Sequence, residues 1–455
     1  MPDTIAAIAT APGRGGVGIV RISGPDAAAT LQRLVPTRSE WETHKLYFSR
    51  ILDLDGHLID EALAVLMLGP HSYTGEDVVE LQVHGGPIIL RRVLDAALGT
   101  GARIARPGEF TERAFLNGRL DLTQAEAVAD LVNATSEAAH KLALEHLEGA
   151  LGKAVQSFQD RVVEAMVLVE SAIDFSHEEH VYQIEFDEIL RRIDLVLPDL
   201  EKLRKSFDQG RRQREGVRVV ILGPTNAGKS TLFNVIHGTE RAIVTPIAGT
   251  TRDFLEEEVI IDGVALRLVD TAGLRATEDT VEAIGIRRSR DLMDRADLIV
   301  WLVDHSEPLP EETTIALQRL LAEPRPSVIV LNKQDLPSGL SASDNELIAS
   351  FEHVIRTSLA AGTEGRDELF GVLAEIGREL TSGEGVLLSR ARHLQHVVAA
   401  LESLQRARQS LEAGMDHEII ALDLREALDA LGEIVGRVTT NDILHRIFAE
   451  FCVGK

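Results

Sequence analysis

Apolar and polar positions change rhythm several times along this chain. Over the first 118 residues alternation dominates: Gly18-Ile19-Val20-Arg21-Ile22 and Val78-Val79-Glu80-Leu81-Gln82-Val83 predict strands, and Ile88 to Leu98 predicts a helix. An α+β domain over residues 1–118 follows. From about Asp121 to Gly210 strand signals nearly vanish, and apolar residues recur at helical spacing, as in Leu144, Leu147 and Leu151, then Val162, Met166 and Val169. Near Gly216 strands begin to alternate with helices: Val217 to Leu222, a hairpin turning at Asp262-Gly263, Leu298 to Asp304, and Val328 to Leu331. That alternation predicts a parallel sheet with crossover helices over 215–378. Helix then returns, with Leu394, Val397, Val398, Leu401 and Leu404 on one face and Leu424, Leu428, Leu431 and Val435 on another. Neither helical stretch has a strand to pack on. Residues 119–214 and 379–455 are therefore expected to pack on each other as one helical domain, with the α/β domain inserted between them.

Composition narrows the function classes. The 455 residues carry 44% hydrophobic residues, enough for two to four ordinary cores. A lone cysteine, Cys452, excludes an internal disulfide framework, and Met1-Pro2-Asp3-Thr4 lacks the basic and apolar regions of a secretory signal. No apolar run is long enough to cross a bilayer, so a cytoplasmic protein without membrane partners is expected. A formal net charge of −25 opposes adhesion to DNA or to nucleic acid in general, and confines any RNA contact to a local patch. Arg211-Arg212-Gln213-Arg214 is such a patch or, as preferred here, a solvated helix face.

The chemistry concentrates at residue 223. Gly223-Pro224-Thr225-Asn226-Ala227-Gly228-Lys229-Ser230 follows an apolar strand and precedes the helical run from Thr231, which is the P-loop spacing in its strand-loop-helix context. Glycines let backbone amides wrap phosphates, Lys229 neutralises β and γ oxygens, and Ser230 can ligate magnesium. Thr250 and Thr251 lie in Gly249-Thr250-Thr251-Arg252-Asp253, where a threonine can reach the magnesium. Asp270-Thr271-Ala272-Gly273 ends a strand, setting Asp270 by the metal and the Gly273 amide by the γ-phosphate. In Asn332-Lys333-Gln334-Asp335 the Asp335 carboxylate can accept two hydrogen bonds from a guanine edge. Adenine lacks that donor pair, so the nucleotide is GTP. Ser358-Leu359-Ala360 would complete the base pocket. Leu274 stands where many small GTPases carry a water-orienting glutamine, so hydrolysis must use another group. Arg252, Arg275 and Glu282 are candidates, each equally readable as a surface residue.

Two patterns mislead. Gly13-Arg14-Gly15-Gly16-Val17-Gly18 matches the dinucleotide fingerprint, but β-like residues follow it, so no helix opens there. His177-Glu178-Glu179-His180 has no further ligands nearby and predicts a solvated helix end, not a zinc site.

Taken with Gly13 to Ser23, Tyr73-Thr74-Gly75-Glu76-Asp77, Arg106-Pro107-Gly108-Glu109-Phe110-Thr111, Arg113 to Leu122 and the terminal Phe451-Cys452-Val453-Gly454-Lys455, the G motifs give a chain that resembles the MnmE (TrmE) family of tRNA-modification GTPases over essentially its full length. The resemblance implies an α/β P-loop G domain inserted in an α-helical domain, after an α+β tetrahydrofolate-binding-like N-terminal domain that dimerises. It implies a homodimer that works with an FAD-dependent MnmG (GidA) partner, as a heterotetramer, on the wobble uridine of certain tRNAs. The one-carbon unit would come from a tetrahydrofolate derivative in the 5-formyl or methylene form. Arg21, Glu80, Arg119 and Lys455 fall at the family's folate positions, with arginine at 119 where lysine is usual. Asn226, Ala227, Gly228, Lys229, Ser230, Thr231, Thr245, Thr250, Thr251, Asp270, Thr271, Ala272, Gly273, Asn332, Lys333, Asp335 and Ser358 fall at the GTP positions. Magnesium falls to Ser230 and Thr251, and potassium, used in place of an arginine finger, to Asn226, Thr245, Ile247 and Thr250. Glu282 matches the water-orienting acid. Cys452 matches a cysteine of the modification step and reads equally as a small half-buried terminal residue. Pro224, Thr225, Pro246 and Leu359 depart from the family pattern without removing a phosphate or metal ligand.

Two other readings compete. A regulatory or ribosome-assembly GTPase would use the nucleotide as a switch, but the chain lacks the basic RNA-binding module common in such proteins. A folate-binding scaffold with a vestigial GTPase conflicts with intact Lys229, Asp270 and Asp335.

Overall fold

The computed structural model describes residues 3–174, 182–238, 243–245, 256–269, 293, 295–360, 362, 364–383, 385–437, 444, 447–449, 451 and 454. The chain divides into two compact units: Met1–Val132, Leu144–Glu201 and Gln395–Lys455 form one, and Asn133–Ala143 with Lys202–Leu394 form the other.

In chain order the first elements are β1 (Ile5–Ile8), β2 (Gly15–Ser23), α1 (Ala27–Leu34), β3 (Tyr47–Leu52), β4 (Leu58–Met67), β5 (Val78–Gly85), α2 (Pro87–Gly99), β6 (Arg103–Ile104) and α3 (Glu109–Leu116). Their strands make one sheet in the order β3-β4-β5-β2-β1-β6, antiparallel except where β6 runs parallel to β1. Side-chain alternation gives this sheet two different faces. Val20, Ile22, Leu81 and Val83 turn to one side, where Leu31 and Leu34 of α1 and Leu90 and Val93 of α2 bury them. Arg21 and Glu80, opposite each other in the β2–β5 register, turn to the other side. The Gly13–Gly18 fingerprint is strand from Gly15 onward, as its flanks predict.

Helices follow: α4 (Leu122–Asn133), α5 (Glu137–Leu147), α6 (Ala150–Asp174), α7 (Tyr182–Lys205) and α8 (Phe207–Glu215). The stripe expected at Leu144, Leu147 and Leu151 does not form, because Gly149 at φ +82° separates α5 from α6. Leu144 is instead exposed, and Ala139, Leu142, Ala143 and His146 are the buried positions of α5.

The second unit holds β7 (Val217–Leu222), α9 (Lys229–His237), β8 (Ile243–Thr245), β9 (Glu256–Ile261), β10 (Val264–Val269), β11 (Leu298–Asp304), α10 (Glu311–Leu321), β12 (Ser327–Asn332), α11 (Ala342–Ala349), β13 (His353–Arg356) and α12 (Arg366–Thr381). The sheet order is β13-β12-β11-β7-β10-β9-β8, with β7 and β10 to β13 parallel. The β9–β10 hairpin turns at Asp262 (φ +47°) and Gly263 (φ +82°), the positive pair that a two-residue turn requires. Leu232, Ile236, Leu369, Phe370 and Leu373 cover one face, and Leu317, Leu320 and Ile348 cover the other, giving a doubly wound α/β layer.

The chain ends with α13 (Ala391–Glu412) and α14 (His417–Val435). Within the first unit α14 runs along α6, where Gln159 Nε2 donates to the Leu428 carbonyl at 3.4 Å, and it meets α7 where the Phe186 and His417 rings pack edge-on at 4.8 Å. Arg408 pairs with Asp194 at 2.8 Å, joining α13 to α7. Leu444, Phe448 and Phe451 pack with Leu122 and Ala125 of α4. Among the described residues no helix is long and apolar enough to cross a membrane.

The Arg211–Arg214 cluster is not the solvated face expected of it. Arg211 Nη2 and Arg212 Nε donate to the same Asp297 oxygen, at 2.6 and 2.9 Å, and Gln213 Nε2 donates to the Thr381 carbonyl at 2.6 Å. Burial disfavours ionised Asp297, yet the two guanidiniums and the Arg218 amide outweigh it and hold its carboxyl below the usual range. The arginines are there to neutralise a buried carboxylate, which charge spacing alone could not reveal.

Candidate functional site

Strands β7, β11, β12 and β13 all end at the same edge, where open parallel sheets place their ligands. The loop after β7 depends on glycine. At Gly223 (φ +141°) a Cβ would collide with the Leu302 carbonyl of β11, and at Gly228 (φ +108°) with the Asn332 amide. Asn226 also takes a left-handed conformation at φ +61°, leaving its side chain exposed at the loop tip. Ala227 is buried, Gly228 caps α9, and Ser230 stands exposed in the first turn, followed by half-buried Thr231. Lys229 Nζ curls back to donate to the Gly223 and Pro224 carbonyls at 2.8 and 2.6 Å, and burial pushes its ammonium below the usual lysine range. A lysine held over a glycine-containing loop at a helix start suits an anion.

Asn332, at the end of β12, is buried and joins three segments. Its Nδ2 donates to the Ala227 carbonyl at 2.8 Å, and its Oδ1 accepts from the Leu359 amide at 3.1 Å and from the Thr357 hydroxyl at 3.3 Å. Lys333 is left-handed at φ +65°, and its Nζ donates to Asp304 at 2.5 Å. Asp304 ionises below the usual range: its burial works against this, and contacts from Lys333 and Ser306 overcome it. Asp335 is exposed, while Ser358 is buried with its hydroxyl unpartnered among the described residues. The 223–230 loop and the 332–335 and 357–360 segments thus meet at one sheet edge. Asp304 was missed in the sequence, although a carboxylate ending a parallel strand is a usable signal. The backbone of Thr245 lies in β8, paired with Glu258. Ile247, Thr250, Thr251, Arg252, Asp270, Thr271, Ala272, Gly273, Arg275 and Glu282 lie outside the described residues, as do His177 to His180.

The first unit holds a second polar constellation. Arg21 Nε donates to Glu80 Oε1 at 2.9 Å across the open face of the sheet, with both side chains mostly covered. Its guanidinium lies 5.4 Å from the Tyr73 ring centre and 5.6 Å from that of Phe110, and Nη1 donates to the Gly454 carbonyl at 3.4 Å. Gly454, at φ +98°, allows that approach, since a Cβ would lie 2.9 Å from Ala9 Cα. Arg119 Nε donates to the Ser72 carbonyl at 3.2 Å, next to Tyr73. Burial raises the Tyr73 phenol above its usual range, and the Thr111 hydroxyl at 2.8 Å partners it. In the sequence Tyr73 and Phe110 stand only as members of their motifs. Their place around a cation follows from three-dimensional contact, not from spacing. Cys452 and Lys455 lie outside the described residues.

A family model described as the GTP-binding protein TrmE N-terminus matches residues 4–119, and one described as the MnmE helical domain matches residues 122–452. The tRNA modification GTPase MnmE of Syntrophotalea carbinolica is 43% identical, with all of this chain and 99% of that protein covered. Those of Geobacter metallireducens and Aquifex aeolicus are 44% and 42% identical, with both partners fully covered in each case. The chain belongs to the MnmE (TrmE) family of tRNA-modification GTPases.

Proposed function

We propose that this chain hydrolyses GTP and, with an FAD-dependent partner of the MnmG (GidA) kind, adds a (carboxymethyl)aminomethyl group to C5 of the wobble uridine in certain tRNAs, using a tetrahydrofolate one-carbon unit. Family membership supports the GTPase activity and the link to tRNA modification. The observation that carries the finer reading is the coexistence, in one chain, of the Lys229 cradle and the Arg21–Glu80 pair.

In this reading residues 215–378 are the G domain, inserted in a helical domain of residues 119–214 and 379–455. Residues 1–118 bind the folate and dimerise. The Lys229 ammonium exchanges its two carbonyl partners for β and γ phosphate oxygens, with amides from Asn226 to Thr231 around them. Asp335 accepts from the guanine edge, and the unpartnered Ser358 hydroxyl lies in the segment that closes the base pocket. Ser230 and Thr251 would hold a magnesium ion, and Asn226, Thr245, Ile247 and Thr250 a potassium ion, which would supply positive charge to offset that of the transition state. Glu282 orients the attacking water. On the N-terminal sheet Arg21, Glu80, Arg119 and Lys455 offer cations and a carboxylate. Those donors suit the carboxylates of a glutamate tail and the donor groups of a pterin ring, with Tyr73 and Phe110 as flat neighbours. Cys452 takes part in the modification step.

Mass spectrometry of tRNA nucleosides from a strain lacking the gene tests this directly. Wobble uridines without the C5 adduct are expected, restored by the intact gene. An unaltered nucleoside profile would transfer the chain to the regulatory reading.

A further inference from the structure

The loop Ser72–Asp77, between β4 and β5, is held by more polar contacts than a turn of six residues needs. Ser23 and Thr74 are completely buried, with their hydroxyls 2.7 Å apart. Ser23 Oγ also lies 2.9 Å from Glu76 Oε2. An ionised carboxylate only accepts, so the Ser23 proton goes to Glu76, and the Thr74 proton goes to Ser23. Thr74 Oγ1 then accepts from the Glu76 amide at 3.2 Å. From the other side Arg113 Nη1 donates to Glu76 at 3.0 Å.

What this anchors is the wall of the Arg21 constellation. Tyr73, beside the Arg21 guanidinium, and Ser72, whose carbonyl receives Arg119, both belong to the loop. Asn117 Nδ2 donates to the Thr74 carbonyl at 2.8 Å. Gly75, at φ +79°, lets the loop press close, since a Cβ there would lie 3.1 Å from Asn117 Cβ and 3.3 Å from Arg119 Cγ. A loop displaced by a fraction of an ångström would therefore move the partners of two cations together.

We propose that Glu76 is a positioning residue for the one-carbon carrier: anchored to Ser23 and Arg113, it fixes the loop so that Tyr73 packs against Arg21 and the Ser72 carbonyl orients Arg119. This rests on the folate reading above. It also gives a reason for the Tyr73–Asp77 and Arg113–Leu122 motifs, which the nucleotide site does not use. In a Glu76→Gln variant Arg113 still faces Asp3 and Glu109, which lie 2.7 and 3.2 Å from it in the wild-type chain, so its guanidinium keeps two carboxylate partners. The lost charge falls on the loop.

Calorimetric titration of 5-formyltetrahydrofolate into the full chain tests the idea. Wild type should bind. Glu76→Gln should bind about tenfold more weakly, the order of loss that misplaced binding groups cause, with GTP turnover unchanged. Ser23→Ala, which removes one anchor without a change in charge, should move affinity the same way by less. Because Glu76 acts through Arg119, its effect in an Arg119→Ala background should shrink, whereas independent damage to the fold would add in full. Wild-type affinity in Glu76→Gln, or full additivity with Arg119→Ala, overturns the proposal alone. No folate binding by the wild-type chain overturns the folate reading and the proposal with it.

Discussion

Asn332 donates through its side-chain amide to the carbonyl of Ala227, 2.8 Å away and 105 residues earlier in the chain. The bond ties the 332–335 strap to the 223–230 loop, so in the proposed reading guanine and phosphate recognition would share one buried side chain.

Asn332→Asp should separate those halves. Its carboxylate has no proton for the Ala227 carbonyl, and two oxygens would face each other in a buried site. Leaving such a group unsatisfied costs about 1–3 kcal/mol, more when it is charged. A fluorescent GDP titration should show affinity falling by about tenfold or more, a fall of about 1.4 kcal/mol or more. Unchanged affinity would show that the tie does not support binding.

Acid should loosen the N-terminal unit through Glu109. Its carboxyl is almost fully buried, and burial by itself would raise its pKa. Bonds from Arg103, the Arg106 amide and Arg113 more than offset this and hold it down at about 2, against 4.5 for the free side chain. A depressed folded-state value means that the stabilisation is complete above about pH 4.5 and is lost as pH falls towards 2. At about 1.4 kcal/mol per unit, the loss is on the order of 3 kcal/mol. Thermal melts between pH 6 and 3 should fall more steeply for wild type than for Glu109→Gln, which is less stable at neutral pH. Parallel curves would remove Glu109 as the titrating group.

The sequence made the centre of the α/β unit legible because β7, β11 and β12 are apolar runs with a loop signal at their ends, whereas β8 and β13 are short and β9 opens on three glutamates. Val217–Leu222 and Leu298–Asp304 match the expected bounds, and the Asp262-Gly263 turn lies where its dipeptide placed it. Helical stripes were less exact. Leu144 falls in phase with Leu147 and Leu151 in the sequence, but the phase is lost at Gly149, which ends one helix and starts another. Where placement is local it was readable, as with Lys229, which lies between β7 and the start of α9 as its motif predicts. Asp304 and Asp297 were not, because each owes its role to a cation brought from a distant segment.

Gly108 should reject a side chain. It sits at φ +67° before α3, and a Cβ would lie 2.6 Å from the Phe448 carbonyl and 3.0 Å from Phe451 Cβ. Gly108→Ala combines a left-handed strain of about 1 kcal/mol or more with displacement of the two phenylalanines, whose rings are 5.4 Å apart. A lower thermal midpoint and faster proteolytic trimming of the C-terminal residues are expected. A midpoint equal to wild type would mean that the Phe448 segment moves aside at no cost.

Asp297 should behave as a buried counter-ion. Its side chain is 5% exposed, while Arg211 and Arg212 are 14% and 24% exposed, so the carboxylate is the most deeply buried of the three groups. Asp297→Asn keeps the shape, and its oxygen can still accept one bond. It removes the charge that both arginines share and adds protons where the Arg218 amide now donates at 3.0 Å. Breaking a buried pair from one side costs about 3–5 kcal/mol, and the loss should be near the lower limit because the arginines keep partial exposure. Chemical denaturation followed by Trp301 fluorescence, a buried reporter on β11 of the same unit, should show the midpoint falling. Adding Arg211→Met should recover part of the loss, since it removes one stranded cation while keeping its apolar stem. A double variant as unstable as the sum of the two single variants would mean that Asp297 and Arg211 stabilise the unit independently.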